Sequence, residues 1–65
     1  MNVIVNNQRL NVEAQNLMEL VEELPIEAQG IAIAQNGQVI PRSDWEQSTL
    51  AEDDKVVIVS AVFGG

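Results

Sequence analysis

One segment of this chain, residues 16–25, has the apolar spacing of an α-helix. Its apolar side chains fall at i, i+3, i+4 and i+7 and therefore share one helix face: Leu17, Leu20, Val21 and Leu24. Asn16 precedes this run and Glu19 follows three residues later, which is close to a capping box. Pro25 disfavours helical backbone at the residue before it. The sequence therefore predicts one helix that begins after Asn16 and ends before Pro25.

The segments on both sides of this helix have the composition of β-strands. Short β-branched or alternating apolar runs predict strands at residues 1–6, 9–13, 31–34, 38–40 and 55–60. Asn6-Asn7 joins the first two runs as a turn, and Asn36-Gly37 is a strong signal for a two-residue hairpin turn. Strands grouped around one helix predict an α+β domain, in which a mixed sheet of four to five strands carries the helix across one face.

Size and composition limit the chemistry that the chain can perform. The 65 residues allow one domain, and a hydrophobic content of 46% excludes a disordered acidic tail. There is no cysteine and no histidine, which excludes disulfides, zinc and iron–sulfur ligation, thiol catalysis and the usual general base. We expect a protein that is not an enzyme and needs no cofactor or metal. The acidic run 52–54 lacks the spacing of a calcium loop and predicts a solvated turn.

The charge balance points to the kind of partner. Three Lys or Arg residues stand against ten Asp or Glu residues, for a formal net charge of -7. Such a chain is repelled by nucleic acids and anionic membranes, whereas a basic protein surface attracts it. The exposed helix carboxylates, Glu19, Glu22 and Glu23, could steer a basic partner. The longest apolar run is far shorter than the ~20 residues of a membrane span, and no signal peptide is apparent, so we expect a cytoplasmic protein.

The chain ends in Phe63-Gly64-Gly65. Such an end is either a frayed terminus or a reactive one. Without a Cβ, a Gly-Gly backbone can enter a narrow channel and present its carboxylate for attack on ATP. No side chain here can carry sulfur or an acyl group, which leaves the C-terminus for that role. We expect a domain of residues 1–60 and a flexible tail of residues 61–65 that reaches ~16 Å into a partner.

The whole chain resembles the ubiquitin-like sulfur carriers, which have the β-grasp fold, and most closely their thiamine-biosynthesis branch, the ThiS type. Three features carry the resemblance: the length and element order, the stretch AQNGQVIPRSDW at residues 34–45, and the Gly64-Gly65 end. The end alone is shared with molybdopterin-synthase small subunits and ubiquitin-like tags. The Pro41-Arg42 pair followed by Trp45 favours the ThiS type.

The resemblance implies a carrier cycle that is centred on Gly65. A ThiF-type adenylating enzyme would activate the Gly65 carboxylate with ATP and magnesium, and a cysteine desulfurase pathway would supply the sulfur of a thiocarboxylate. A ThiG-type thiazole synthase would then transfer that sulfur into the thiazole of thiamine. The residues threaded into the partners' active sites would be Ala61, Val62, Phe63 and Gly64. The alternatives are a molybdopterin-type sulfur carrier, a tag conjugated through Gly65, and a passive binding module.

The same resemblance implies a strand register. It directs one set of apolar side chains towards the helix: Met1, Val3, Val5, Ile31, Ile33, Val56 and Ile58. It leaves a second set on the opposite face of the sheet: Ile4, Ala32, Ala34, Val57 and Val59. Alternation along a strand requires an apolar run to show side chains on both faces. Because the open face of an antiparallel sheet is normally polar, an apolar one favours a partner surface. The alternative is that a long connection covers it.

Two residues of the central stretch have competing interpretations. Trp45 is the largest side chain of a small domain, so a packing role is favoured over a binding role. Arg42 is one of three cations in an acidic chain. It would either form a local salt bridge, which contributes little to stability, or contact a partner.

Overall fold

The computed structural model describes residues 1–27 and 29–60. They form a five-stranded sheet with one helix across one face. The elements are β1 (Asn2–Val5), β2 (Gln8–Asn11), α1 (Leu17–Glu23), β3 (Ile31–Gln35), β4 (Gln38–Ile40) and β5 (Lys55–Ser60). The predicted tail, residues 61–65, lies outside the described residues. Among the described residues, no helix is long and apolar enough to cross a membrane.

The strand order is β2-β1-β5-β3-β4, so the first and last strands lie side by side in the middle. β1 and β5 are parallel, with Ile4 opposite Lys55 and Val5 opposite Val56, whereas the other neighbours are antiparallel. The sheet is therefore mixed. This arrangement confirms the predicted β-grasp fold.

Both hairpins turn through left-handed backbone. Asn6 and Asn7 have φ of 50° and 68°, and Asn36 and Gly37 have φ of 51° and 86°. Two central residues with positive φ suit the right-handed twist of the flanking strands. The first turn is so tight that β2 begins at once, at Gln8. The strand that was predicted at residues 9–13 therefore lies closer to the N-terminus, at Gln8–Asn11.

The helix begins and ends where the sequence predicted. The Asn16 side chain accepts a hydrogen bond from the Glu19 N–H at 2.8 Å, and Leu24, before Pro25, has an extended ψ of 150°. The Glu19 carboxylate accepts from the Gln15 N–H at 2.9 Å. Glu23 likewise accepts from the backbone N–H groups of residues 13 and 14. Two of the three exposed helix carboxylates thus anchor the segment that leads into the helix.

The core lies between the sheet and the helix. Its buried side chains are Val3, Val5, Val12, Ala14, Leu17, Leu20, Val21, Ile33, Trp45, Leu50 and Val56. The strand residues of this set have the predicted register, and Ile31 and Ile58 are half-buried beside them. Met1, the first residue of the predicted helix-facing set, precedes β1 and is 38% exposed. Its amino group donates to the Val12 carbonyl at 2.8 Å.

The segment between β4 and β5 contains one regular element. Residues Arg42–Gln47 form a 3₁₀-helix after Pro41, whose φ of -60° suits that start. Trp45 is buried, and its indole N–H donates to the Ile40 carbonyl at 2.9 Å. Leu50 is also buried, and its N–H donates to the Gln15 carbonyl at 2.9 Å. This connection therefore packs on the helix side of the sheet, where Trp45 takes the predicted packing role.

The acidic turn before β5 is tied to its neighbours. The Glu52 carboxylate accepts from the Asn2 N–H and side-chain amide at 3.1 and 3.0 Å. Asp53 forms a salt bridge of 2.7 Å with Arg9, exposed on both sides. Such an exposed pair contributes about 0–1 kcal/mol. Within the described residues, no cluster of acidic side chains has a geometry that could hold a metal ion.

Asp54 is the acid of this turn with the densest hydrogen bonding. Its carboxylate accepts from the Gln35 amide, the Asn36 amide and the Ala51 N–H at 3.0, 3.0 and 2.8 Å. Partial burial is the largest single influence on the pKa of Asp54 and raises it. The hydrogen bonds from Asn36, Ala51 and Gln35 together outweigh burial and hold the pKa below its ordinary value.

Asp54→Ala should lower the free energy of unfolding by about 1–3 kcal/mol at pH 7, because three donors lose a charged acceptor. The folded-state pKa is lowered, so this stabilisation is present above the unfolded-state pKa. It should fade as the pH falls below about 4. Urea unfolding followed by Trp45 fluorescence at several pH values measures the difference between the two proteins. Glu46→Ala, at an exposed acid of the 3₁₀-helix, is the control. A difference that is the same at pH 7 and pH 3 would contradict an ionised acceptor.

Candidate functional site

The face of the sheet away from the helix carries a group of apolar side chains. Its central members are Val57 and Val59 of β5, which are 49% and 53% exposed. Ala34 lies opposite Val57, and Ala32 lies opposite Val59. Paired residues of neighbouring antiparallel strands point to the same face, with Cβ atoms about 4.5–5.5 Å apart. These four side chains therefore form one continuous patch.

Two further residues extend the patch to both sides. Ile4 of β1 lies opposite Lys55 and so shares a face with the rest of this β5 series. Val39 of β4 lies opposite Ala34 and is largely exposed. We call the resulting surface the open face: Ile4, Ala32, Ala34, Val39, Val57 and Val59. The sequence analysis missed Val39, although the Asn36-Gly37 turn already sets its pairing with Ala34.

No described segment covers the open face. The one connection long enough to do so, residues 41–54, packs on the opposite side, where Trp45 and Leu50 join the core. Ser48 and Gln15 fix it there, because the Leu17 N–H donates to the Ser48 carbonyl at 3.1 Å and the Leu50 N–H to that of Gln15. Of the two interpretations of the apolar face, the covered one does not hold for the described residues.

The charges of the open face differ from those of the molecule as a whole. None of the five strands, as the structure describes them, contains an Asp or Glu residue. Two of the three cations, Arg9 and Lys55, lie on the same side of the sheet as the open face, because both are opposite Ile4. The carboxylates lie on the helix, the connections and the turn before β5. The acidic residues behind the net charge of -7 therefore lie outside the strands, although Asp53 reaches the border of the open face, where it is paired with Arg9.

Arg42, for which the sequence analysis left a local salt bridge or a partner contact open, is not a strand residue. It belongs to the 3₁₀-helix, and its guanidinium sits 5.1 Å from the centre of the Trp45 ring. This cation–π contact covers the buried indole. The structure therefore brings together Ile4, Ala32, Ala34, Val57 and Val59 but sets Arg42 apart from them.

The predicted reactive end begins where the description of the structure ends. Ser60 closes β5 beside Ile31 of β3, its partner in the register. Gly65 and the four residues before it, Ala61, Val62, Phe63 and Gly64, lie outside the described residues. Five residues span at most about 16 Å, so the position of Ser60 limits where the carboxylate can be presented.

Comparisons with known proteins match the whole chain. The model of the ThiS family matches residues 2–65. The sulfur carrier protein ThiS of Escherichia coli (strain K12) is 32% identical over 66 residues, which cover all of both chains. A thiazole synthase of Paramagnetospirillum magneticum is 29% identical over all of this chain, which spans 20% of that protein.

Solved structures give the same result. The crystal structure of a thiamine biosynthesis protein (ThiS) from Geobacter metallireducens superposes with a TM-score of 0.85, at 28% identity and over all of both chains. A solution structure of a thiamine biosynthesis protein from the same organism gives a TM-score of 0.79, at 26% identity, over all of this chain and 88% of the other. With the family model, the full-length relative and the shared fold in agreement, this chain belongs to the ThiS family.

Proposed function

We propose that this protein is the sulfur carrier of thiamine biosynthesis and that it works through the carboxylate of Gly65. The observation that carries the proposal is the full-length match to a sulfur carrier protein ThiS at 32% identity. The Gly64-Gly65 end supports it, because a backbone without side chains fits a narrow channel. We assign the cycle to the cytoplasm because its activation step consumes ATP.

The proposed chemistry takes place on a carboxylate that the carrier presents and its partners transform. A Gly65 oxygen attacks the α-phosphorus of ATP, which forms an acyl-adenylate and releases pyrophosphate. The outer sulfur of a persulfide on the sulfur-supplying partner then displaces AMP at the carbonyl carbon and gives an acyl disulfide. A thiol of the partner cleaves its S–S bond, which leaves the thiocarboxylate on the carrier and a disulfide on the partner. The carrier has no histidine or cysteine to assist any of these steps. In this proposal it is therefore a co-substrate of other enzymes rather than an enzyme.

The proposed partners follow from these steps. A thiazole synthase of the ThiG type receives the sulfur, and the Paramagnetospirillum relative supports this pairing because a stretch similar to the whole carrier lies within one thiazole synthase. A ThiF-type adenylating enzyme, with ATP and magnesium in its own site, activates Gly65. A cysteine desulfurase pathway supplies the sulfur.

We assign partner docking to the open face. Its two most exposed β5 residues, Val57 and Val59, form an apolar surface that no described segment covers. A partner that binds there can guide residues 61–64 into its active site, since β5 leads directly to them. Lys55 at the border favours an acidic side chain on the partner there, whereas Arg9 is already paired with Asp53. Arg42 is proposed as a contact at a separate place.

Removal of the Gly65 carboxylate should abolish ATP–pyrophosphate exchange by a ThiF-type enzyme. The measurement compares the full chain with a chain that ends at Gly64 and with a chain of full length whose last residue is a C-terminal amide. The amide keeps the length of the tail but cannot attack ATP. Equal exchange by all three proteins, or none with the full chain, would reject activation at Gly65.

Val57→Ser should weaken docking without unfolding the protein. We expect the KM for the carrier in the exchange assay to rise about tenfold, because an apolar anchor of the open face is lost. The free energy of unfolding should change by less than about 1 kcal/mol. In contrast, Val56→Ser should cost about 2–4 kcal/mol in stability, since this neighbour is 1% exposed.

The matched control is Gln47→Ser, an exposed substitution in the 3₁₀-helix on the other side of the sheet. It should leave both KM and stability unchanged. A comparable loss of stability in Val57→Ser and Val56→Ser would show that the open face belongs to the core, and the docking assignment would then be wrong.

A further inference from the structure

The helix side of the sheet contains a cavity of about 410 Å³ at the end where β5 finishes. Its floor consists of Val5, Ile31 and Ile58, one residue from each of three neighbouring strands. Leu24 and Ile26, from the segment after the helix, form the opposite wall. Ile26 is 41% exposed, so the cavity opens to solvent. An apolar opening of this kind is suited to an apolar side chain.

The cavity results from a difference in length between the helix and the sheet. α1 has seven residues and is therefore about 10 Å long, whereas the six residues of β5 extend about 20 Å. Pro25 stops the helix and prevents it from covering the rest of the strand. The end of β5 near Ile58 is left to the segment after Leu24. The described residues of that segment that line the cavity are Ile26, Glu27 and Gln29.

The cavity lies beside the point where the chain leaves the sheet. Ser60, the last residue of β5, is itself one of its lining residues. A channel that takes up residues 61–65 must therefore have its rim next to the cavity. The open face is on the other side of the sheet, so this rim would be a second contact, independent of Val57 and Val59.

The charged residue that lines the cavity indicates which kind of side chain the rim of the partner's channel carries. Glu27 is the one charged residue among its lining residues. Within residues 1–27 and 29–60, its carboxylate has no salt-bridge partner. The activation step also brings a chain of net charge -7 to the triphosphate of ATP. A cation at the rim would pair with Glu27 and reduce this repulsion.

We propose that this cavity receives an apolar side chain, flanked by a lysine or arginine, from the rim of the channel of the adenylating enzyme. The apolar side chain fills the space between Ile26 and Ile58, and the cation pairs with Glu27. This inference rests on the proposed function, because it presumes that Gly65 is adenylated. It adds a contact beside Ser60, where the tail begins, and this contact determines the angle at which the tail enters the channel.

The test is ATP–pyrophosphate exchange with the full-length carrier and three variants. Glu27→Lys reverses the charge at an exposed site and leaves the packing intact, and it should raise the KM for the carrier about tenfold with kcat unchanged. Ile26→Ser should raise the KM about fivefold. Glu46→Lys, an exposed charge reversal in the 3₁₀-helix, is the matched control and should have a smaller effect. Trp45 fluorescence verifies that each variant is folded.

The effect of Glu27→Lys should shrink at high ionic strength, because a rim cation at an exposed site is screened. Two outcomes overturn this inference alone, provided that the wild-type carrier supports exchange. In the first, Glu27→Lys and Ile26→Ser both have the KM of the wild-type carrier. In the second, Glu46→Lys raises the KM as much as Glu27→Lys does. If the wild-type carrier supports no exchange, the proposed function fails and the inference fails with it.

A competing occupant is the tail of the same chain. Phe63→Ala in the carrier alone, followed by methyl NMR of Ile26 and Ile58, tests for it. Unchanged methyl resonances are expected if Phe63 does not occupy the cavity in the carrier alone. A clear shift of both would assign the cavity to Phe63 and overturn the proposal.

Discussion

The parallel pairing of β1 with β5 is the constraint on which the rest of the structure depends. It consists of two residue pairs, Ile4 with Lys55 and Val5 with Val56. The chain then turns away at Asn6, whose side chain continues the contact: its amide donates to the Ile58 carbonyl at 3.1 Å, and its carbonyl accepts from the Ile58 N–H at 2.8 Å. A slip of one residue would exchange the two faces of β5. This short junction therefore decides which valines face the helix and which face outwards.

The two faces of the sheet differ in how far other segments cover them, so that one face belongs to the core and the other is exposed. Within residues 1–27 and 29–60, the helix and the connection after β4 are long enough to cover a sheet face, and both lie on the same side and meet around Trp45. A small domain has little apolar surface to spare for its core. The exposed apolar residues on the other face therefore contribute little to folding, and a docking role gives their exposure a reason. The acidic residues lie outside the strands, and Asp53 is paired with Arg9 at the border of this face.

Local signals in the sequence sufficed for the helix, both turns and the succession of the strands along the chain, whereas the order of the strands within the sheet was implied by the family resemblance. Asn16, Pro25 and Asn36-Gly37 each act within a few residues of themselves, which is why the pattern alone located them. The path of the connection after β4 was not predictable in this way: the size of Trp45 indicates burial but not on which face. The cavity beside Ser60 depends on the relative lengths of the helix and β5, a property of assembled elements. The role of Gly65 comes from the chain end and the family rather than from packing.

The central position of β5 has a consequence for the synthesis of the protein. Translation proceeds from the N-terminus, yet the strand that separates β1 from β3 is the last one made. Until it emerges, β1 and β3 each lack a neighbour, and pairing over such a long separation in sequence is slow. A chain truncated before Lys55 would therefore expose unpaired strand edges, which favour aggregation. Folding thus distinguishes chains that contain β5 from chains that stop short of it, before any partner encounters the C-terminus.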